Sequence, residues 1–123
     1  MSKNAVAFDF DGVIHKIKAG EPIQEPSGDP NMEVIETMYE LNKMGIPVFI
    51  LTSRAPNQVI EWFNDQGFKL KAKLIPKDTF FFNETDYVGV TNRKLPAQLY
   101  IDDRAYSYNG QSKKDLLMYI VKG

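Results

Sequence analysis

The chain of 123 residues contains no cysteine and only one histidine. Disulfides, a thiolate nucleophile and cysteine-ligated zinc are therefore excluded, and a reducing compartment suits this composition. The apolar runs are far too short to span a bilayer. Strand-like sequence also begins so close to Met1 that no signal peptide is expected. Together these features predict a cytoplasmic protein with no membrane partner.

The chain also lacks a strong excess of either charge, with 15 lysines and arginines against 16 acids. Its 43% apolar and 25% charged residues are ordinary for a globular protein, and its length predicts one domain over residues 1–123. The basic residues concentrate in the second half, where Lys69, Lys71 and Lys73 alternate. This alternation indicates a solvated edge strand, and a contact with nucleic acid is the alternative.

Two carboxylates follow the first apolar stretch, in the segment Asp9-Phe10-Asp11-Gly12. On a strand, Phe8 and Phe10 would face one side and the two acids the other. A carboxylate pair at a strand end can share a divalent cation, and an aspartate can attack phosphorus directly. The segment could therefore hold both a nucleophile and a proton donor. The alternative is that the acids only cap a strand before a glycine turn.

Two further apolar runs, at residues 46–51 and 99–101, also end in polar side chains. The polar residues after these runs are Thr52, Ser53, Arg54, Asp102, Asp103 and Arg104. Lys94 lies eight residues before Asp102. Because ligands bind outside the carboxyl ends of parallel strands, we expect these side chains to gather with Asp9 at one sheet edge.

The ordered set of motifs resembles the haloacid dehalogenase-like (HAD) superfamily of phosphohydrolases. The sequence DFDG at residues 9–12 is similar to the family's first motif, and LTSR at residues 51–54 to its second. Lys94 stands where the family's basic residue is expected, and IDD at residues 101–103 resembles the acidic fourth motif. The resemblance implies an α/β fold, a three-layer Rossmann-like sandwich with a mainly parallel sheet. Neither gap between the motifs has room for a cap domain, so a capless member is expected.

The resemblance also implies a phosphatase that hydrolyses a phosphomonoester through an aspartyl-phosphate. Asp9 would attack phosphorus, while Asp11 would protonate the leaving oxygen and then deprotonate the attacking water. The phosphate would be bound by the Thr52 hydroxyl, the Ser53 backbone N–H and the Lys94 ammonium. Lys77 is an alternative to Lys94, since many family members place this lysine directly after a strand.

Mg²⁺ is the cofactor that the resemblance implies, because it prefers oxygen ligands. Its ligands would be Asp9, the backbone carbonyl of Asp11, and an acid from Asp102 or Asp103, with the choice between these two left open. We expect Asp102 to bind directly, with Asp103 acting through water or as a second ligand.

Arg54 and Arg104 would bind a second charged group of the substrate. The sequence Asp-Asp-Arg at the fourth motif also occurs in phosphatase domains that remove 3′-phosphates from nucleic-acid ends. A nucleotide or a nucleic-acid 3′-phosphate is therefore the suggested substrate. The expected partner is thus a small or terminal phosphorylated substrate. The open site of a capless member favours a large or polymeric phosphorylated molecule or a phosphate-bearing terminus, and an oligomeric partner could supply a lid.

Two other functions compete with the phosphatase. One is a non-catalytic HAD-like module that binds a metal or a phosphorylated ligand. The other is a receiver-like phosphoacceptor, which is disfavoured because its acceptor aspartate would end a middle strand, where this chain has Thr52. His15 is expected to be an exposed residue of the loop that follows the first motif, and a proton shuttle is the alternative.

The pattern along the chain predicts alternating strands and helices. Strands are expected near residues 4–10, 46–52, 70–75 and 98–102. Helices are expected from Asp29-Pro30 to about residue 44, from Pro56 to Gly67, and over 113–121. Residues 13–29 are expected to form a loop, and residues 79–91 a hairpin or an irregular excursion.

Overall fold

The structure is a computed structural model that describes residues 4–16, 26–102, 106–107 and 112–122. Six strands and three helices are present in this part of the chain. In chain order they are β1 (Val6–Asp9), α1 (Met32–Lys43), β2 (Val48–Leu51), α2 (Pro56–Asp65), β3 (Ala72–Leu74), β4 (Val88–Thr91), β5 (Leu99–Asp102), β6 (Tyr106–Ser107) and α3 (Lys113–Lys122). None of the helices in these residues combines the length and apolarity needed to cross a membrane.

The strands form one sheet in the order β3-β4-β2-β1-β5-β6, and all of their pairings are parallel. The predicted α/β class with a parallel, Rossmann-like sheet is therefore confirmed. β1 lies inside the sheet between β2 and β5. Its last residue, Asp9, pairs with Leu51, and Phe8 pairs with Ile101. The carboxyl ends of these three strands are therefore at the same level.

All three helices contribute to the core on one face of the sheet. Val6 and Phe8 of β1 share this core with Val34 of α1, Phe63 of α2 and Ile120 of α3. Val6, Phe8 and Val34 have no exposed surface. Burial of an aromatic or branched side chain stabilises the fold by about 1.5–3 kcal/mol. Because most of the buried apolar side chains lie on this face rather than on the opposite one, this face supplies most of the packing energy.

Loop segments rather than helices cover the opposite face in the described residues. Ala7 and Phe49 of the sheet pack there against Ile75, Phe82 and Leu95 from the connections after β3 and β4. The reason is topological. Chain connections from β1 to β2 and from β2 to β3 step in one direction across the sheet, whereas those from β3 to β4 and from β4 to β5 step back. Because crossovers between parallel strands are right-handed, reversing the direction moves the connection to the other face.

The first helix begins two residues later than the sequence predicts. Pro30 is not the first helical residue, because it pairs with His15 in an isolated bridge. The backbone N–H of Asn31 donates to the carbonyl oxygen of Ile14, with an N–O distance of 2.8 Å. These contacts hold residues 30–31 extended, so Asn31 becomes the N-cap and α1 begins at Met32.

The prediction of a hairpin or irregular segment over residues 79–91 is wrong for its last part, which is the inner strand β4. Val88 and Val90 are fully buried in the helical core. Gly89 lies between them, and a Cβ there would lie 2.7 Å from the Ile75 side chain. Glycine is therefore needed at this position so that the loop layer can approach the sheet.

The basic segment at residues 69–73 leads into an edge strand, as its alternation predicts. β3 is the terminal strand of the sheet. Lys73 lies on this strand, Lys71 directly precedes it, and both side chains are exposed. The ammonium of Lys73 lies 5.2 Å from the ring centroid of Tyr87. Exposed lysines on an edge strand oppose pairing with another sheet, and this role accounts for their position.

Candidate functional site

The carboxyl edge of the sheet brings together the ends of four inner strands. Asp9 ends β1, Thr91 ends β4, and Asp102 ends β5. Thr52 follows β2, and its backbone N–H donates to the Thr91 carbonyl at 3.0 Å. Thr52 and Thr91 are each only 3% exposed. The edge therefore offers carboxylate and hydroxyl groups on neighbouring strands, the arrangement from which ligand sites in α/β sheets are built.

A tight turn after β1 determines where the second carboxylate lies. The carbonyl of Phe10 accepts hydrogen bonds from the backbone N–H groups of Ile14 and His15, at 3.0 and 2.9 Å. Gly12 has a φ of +84°, which a glycine adopts without strain. The Phe10 N–H donates to Oδ1 of Asp9 at 2.9 Å. This turn folds Asp11 back toward His15, four residues later.

Asp11 forms a bidentate ion pair with Arg54. The arginine Nε donates to Oδ2 at 2.9 Å, and Nη2 donates to Oδ1 at 3.0 Å. The Arg54 side chain is 8% exposed and that of Asp11 is 29% exposed. Two parallel bonds between a guanidinium and a carboxylate form a strong and specific pair. The structure therefore brings together two residues that the sequence assigned to different roles, proton transfer and substrate binding.

His15 is fully buried, which corrects the expectation that it is an exposed loop residue. Its Nδ1 lies 3.0 Å from Oδ1 of Asp11. Its ring stacks on Phe10 with the centroids 4.9 Å apart and the planes 2° from parallel, and it meets Trp62 edge to face. The i,i+4 separation of Asp11 and His15 across the glycine turn is the sequence signal that could have indicated this contact.

Gly28 connects the far end of the loop to the site. Its backbone N–H donates to Nε2 of His15 at 2.9 Å, and its carbonyl accepts from Nε1 of Trp62 at 3.1 Å. A Cβ at Gly28 would lie 1.7 Å from the carbonyl oxygen of Lys16, so only glycine fits there. The two described ends of the loop over residues 13–29 are therefore both held against the turn that carries Asp11.

Thr52 and Ser53 occupy the turn between β2 and α2. The Thr52 hydroxyl accepts the backbone N–H of Arg54 at 3.0 Å, so its own proton remains available to donate. Ser53 is exposed. Pro56 is in the first turn of α2, as predicted, so the helix begins directly after this turn.

Thr91 is a residue of this edge that sequence reasoning missed. Its hydroxyl accepts the backbone N–H of Arg93 at 3.0 Å, which repeats the Thr52–Arg54 turn on the adjacent strand. The sequence carries a signal for it, because the pattern Thr-x-Arg occurs at residues 52–54 and again at residues 91–93. It was overlooked because residues 88–91 were not assigned to the parallel sheet.

The two candidate lysines lie at different distances from β1. Lys94 follows β4, which is two strands away from β1, whereas Lys77 follows β3, which is three strands away. At a strand spacing of about 4.8 Å, β4 lies about 10 Å from β1 and β3 lies about 14 Å from β1. The ammonium of Lys94 lies 4.9 Å from the ring centroid of Tyr100, and burial raises the pKa of the Tyr100 phenol. Lys94 therefore follows the strand that lies nearer to β1.

Part of the predicted site lies outside the described residues. Asp103 and Arg104 are outside them, and of Asp102 only the backbone is described. Within the described ranges, no group of three His, Cys, Asp or Glu side chains converges as a metal site would require. A cavity of about 420 Å³ lies between α1 and residues 67–70, and no predicted site residue lines it.

Comparison with known proteins supports the fold alone. No family model matches the chain, and no curated protein matches it. The chain is similar to a solved structure described as a conserved protein from Bacteroides thetaiotaomicron, with a TM-score of 0.61 and 20% identity. The similarity covers 97% of this chain and 90% of that one. Two chains of nearly the same length therefore share one α/β architecture.

Proposed function

We propose that the protein is a Mg²⁺-dependent phosphatase that hydrolyses a phosphomonoester through an aspartyl-phosphate on Asp9. One observation carries the proposal. Asp9 and Asp11 stand at the carboxyl end of the inner strand β1, with Thr52 on one neighbouring strand and Asp102 at the same level on the other. The order and spacing of these residues resemble the HAD superfamily, and the parallel sheet agrees with that resemblance.

In the first step an oxygen of Asp9 attacks phosphorus and the bond to the leaving oxygen breaks. Asp11 gives its proton to that oxygen. In the second step water attacks phosphorus and passes a proton to Asp11, and the bond from Asp9 to phosphorus breaks to release inorganic phosphate. The Thr52 hydroxyl and the Ser53 N–H bind the phosphoryl oxygens, over which the negative charge of the transition state is spread.

The Asp11–Arg54 pair has to loosen before Asp11 carries a proton. Both oxygens of Asp11 accept hydrogen bonds from Arg54, so a proton on Oδ2 would compete with the arginine Nε. A phosphate dianion offers Arg54 a bidentate partner of greater charge. We therefore expect Arg54 to turn toward the substrate on binding, so that it serves as a substrate ligand while Asp11 becomes free to hold its proton.

The donors at this edge fit a hard divalent cation. Asp9 offers a carboxylate and Asp11 a backbone carbonyl, and both are the oxygen ligands that Mg²⁺ prefers. The register of β1 and β5 brings the backbone of Asp102 level with Asp9, so Asp102 or Asp103 would complete the ligand set. When bound, the cation would neutralise charge on the transferring phosphoryl group.

The substrate that we propose is a nucleotide or a nucleic acid with a 3′-phosphate. Arg54 lies at the site, and Arg104 follows the acidic pair in the sequence, so two guanidinium groups are available for the reacting phosphate and its neighbour. The gaps between the motifs are too short for a cap domain, and a capless site suits a terminal phosphate on a larger molecule. A second copy of the chain could supply a lid.

One observation favours a second candidate, a non-catalytic module that binds a metal or a phosphorylated ligand. Asp11 accepts hydrogen bonds from both His15 and Arg54, so both of its oxygens act as acceptors and are engaged by neighbouring side chains. A binding module would leave the pair intact on ligand binding. It would bind phosphate or a transition-state analogue without releasing product.

The experiment that separates these functions is phosphate release from a panel of substrates. The panel contains p-nitrophenyl phosphate, 5′- and 3′-nucleotides, and an oligonucleotide with a 3′-phosphate. Each is assayed with Mg²⁺ and with EDTA. We expect release that requires Mg²⁺ and is fastest with a 3′-phosphate. Binding of vanadate or phosphate without release from any substrate would favour the non-catalytic module.

A further inference from the structure

We propose that His15 is a positioning residue that fixes the orientation of the Asp11 carboxylate through its Oδ1 atom. Its kinetic consequence rests on the proposed phosphatase activity, whereas its structural basis stands on the contacts alone. His15 is the only histidine of the chain, it is fully buried, and it lies between the first motif and the end of the loop.

The contacts of His15 determine its tautomer. A backbone N–H is always a donor, so the bond of 2.9 Å from Gly28 makes Nε2 the acceptor and leaves it without a proton. Nδ1 then carries the proton of the neutral ring and donates it to Oδ1 of Asp11 at 3.0 Å.

The same contacts make the two oxygens of Asp11 unequal. Oδ1 accepts from Nδ1 of His15, from Nη2 of Arg54 and, at 3.2 Å, from Nε of Arg54, so its acceptor capacity is filled. Oδ2 accepts from Nε of Arg54 alone and has one lone pair left. When Arg54 turns to the substrate, His15 still holds Oδ1. Oδ2 is then released, and His15 keeps the carboxyl plane of Asp11 fixed.

The His15 ring cannot easily give up this position. Phe10 stacks on one face, and the Trp62 ring lies against it with centroids 5.3 Å apart. Trp62 also holds the Gly28 carbonyl, so the peptide that bonds to Nε2 is fixed from both sides. A Cβ at Gly28 would lie 1.7 Å from the carbonyl oxygen of Lys16, so the Gly28 peptide has no room to shift toward Lys16. Such outer contacts orient a functional carboxylate as they orient metal ligands.

The tautomer is measurable directly, because a chain labelled with ¹⁵N-histidine gives the signals of one ring. Long-range ¹H–¹⁵N spectra at neutral pH should show Nδ1 protonated and Nε2 unprotonated. The Asp11→Asn variant should move the Nδ1 signal, because the amide accepts this bond less strongly than a carboxylate. An Nε2-protonated ring, or ring signals that the variant leaves unchanged, would overturn the inference whether or not the protein is a phosphatase.

Two variants separate positioning from packing. His15→Asn keeps an N–H at the position of Nδ1, whereas His15→Phe keeps the buried ring but removes both hydrogen bonds. We expect His15→Phe to lower kcat/KM about 10- to 100-fold for an alkyl phosphate, whose leaving oxygen needs a proton. The loss should be much smaller for p-nitrophenyl phosphate, whose leaving group departs without one. His15→Asn should restore most of the alkyl phosphate activity.

The result that would overturn the kinetic role is an equal loss on both substrates, or no rescue by His15→Asn, when both variants are folded by circular dichroism. Such losses would indicate that His15 only packs. If the wild type releases phosphate from no substrate of the panel described above, the proposed function fails and the kinetic role fails with it. The tautomer measurement would still decide whether His15 holds Asp11.

Discussion

Replacing Asp9 by asparagine is expected to lower kcat by about 10⁴-fold or more, because an amide is not a nucleophile toward phosphorus. The fold should survive this change. Oδ1 of Asp9 accepts the Phe10 N–H at 2.9 Å, and the amide oxygen of asparagine can accept the same bond. Turnover of the preferred substrate and thermal unfolding are the two measurements that check this expectation together.

Asp65→Asn is the matched control for this variant. Asp65 is exposed at the end of α2, near the opposite edge of the sheet, and the same chemical change there should leave kcat unaltered. The assignment of the nucleophile would be wrong if the folded Asp9→Asn protein kept most of its turnover. Equal losses in both variants would instead point to a general effect of the reduced charge.

Truncating Phe8 to alanine is expected to lower the free energy of unfolding by about 3–5 kcal/mol. The side chain has no exposed surface and lies on β1 in the core that all three helices share. Its removal costs the transfer free energy of the ring and leaves a cavity that neighbouring strands cannot fill. Since domains of this size are stable by about 5–15 kcal/mol, the variant should unfold far more readily.

Phe80→Ala is the control, because Phe80 is 80% exposed and loses little contact on truncation. Its free energy of unfolding should change by no more than about 0.5 kcal/mol. Urea unfolding followed by the fluorescence of Trp62 measures both variants. Similar losses for Phe8→Ala and Phe80→Ala would contradict the arrangement of the sheet core.

Much of the fold could be predicted from local patterns. Apolar runs ending in polar residues located β1, β2 and β5, and Pro56 and Gly67 bounded α2. The start of α1 was missed because the extended pairing of Pro30 with His15 is a contact between distant residues, which outweighs the local preference for proline in a first helical turn. β4 was missed because its glycine and short length hide the pattern of an inner strand.

The candidate site was only partly predictable, and the reason is the same. Carboxylates after a strand indicate chemistry locally, so Asp9 and Asp11 could be singled out from the sequence. The contacts of Asp11 with His15 and with Arg54, 43 residues away, depend on the turn and on the packing of α2. The burial of His15 is not predictable in this way, since nothing in the local sequence indicates that Phe10 and Trp62 enclose its ring.

The most direct test of the central claim is to trap the covalent intermediate on Asp9. The wild-type protein is mixed with saturating substrate and Mg²⁺, quenched at a series of times and treated with borohydride, which converts an aspartyl-phosphate into homoserine. Mass spectrometry of the peptide around residue 9 then locates the change. The account predicts homoserine at position 9 only when substrate is present. Substrate hydrolysis with Asp9 unmodified at every quench time would contradict it.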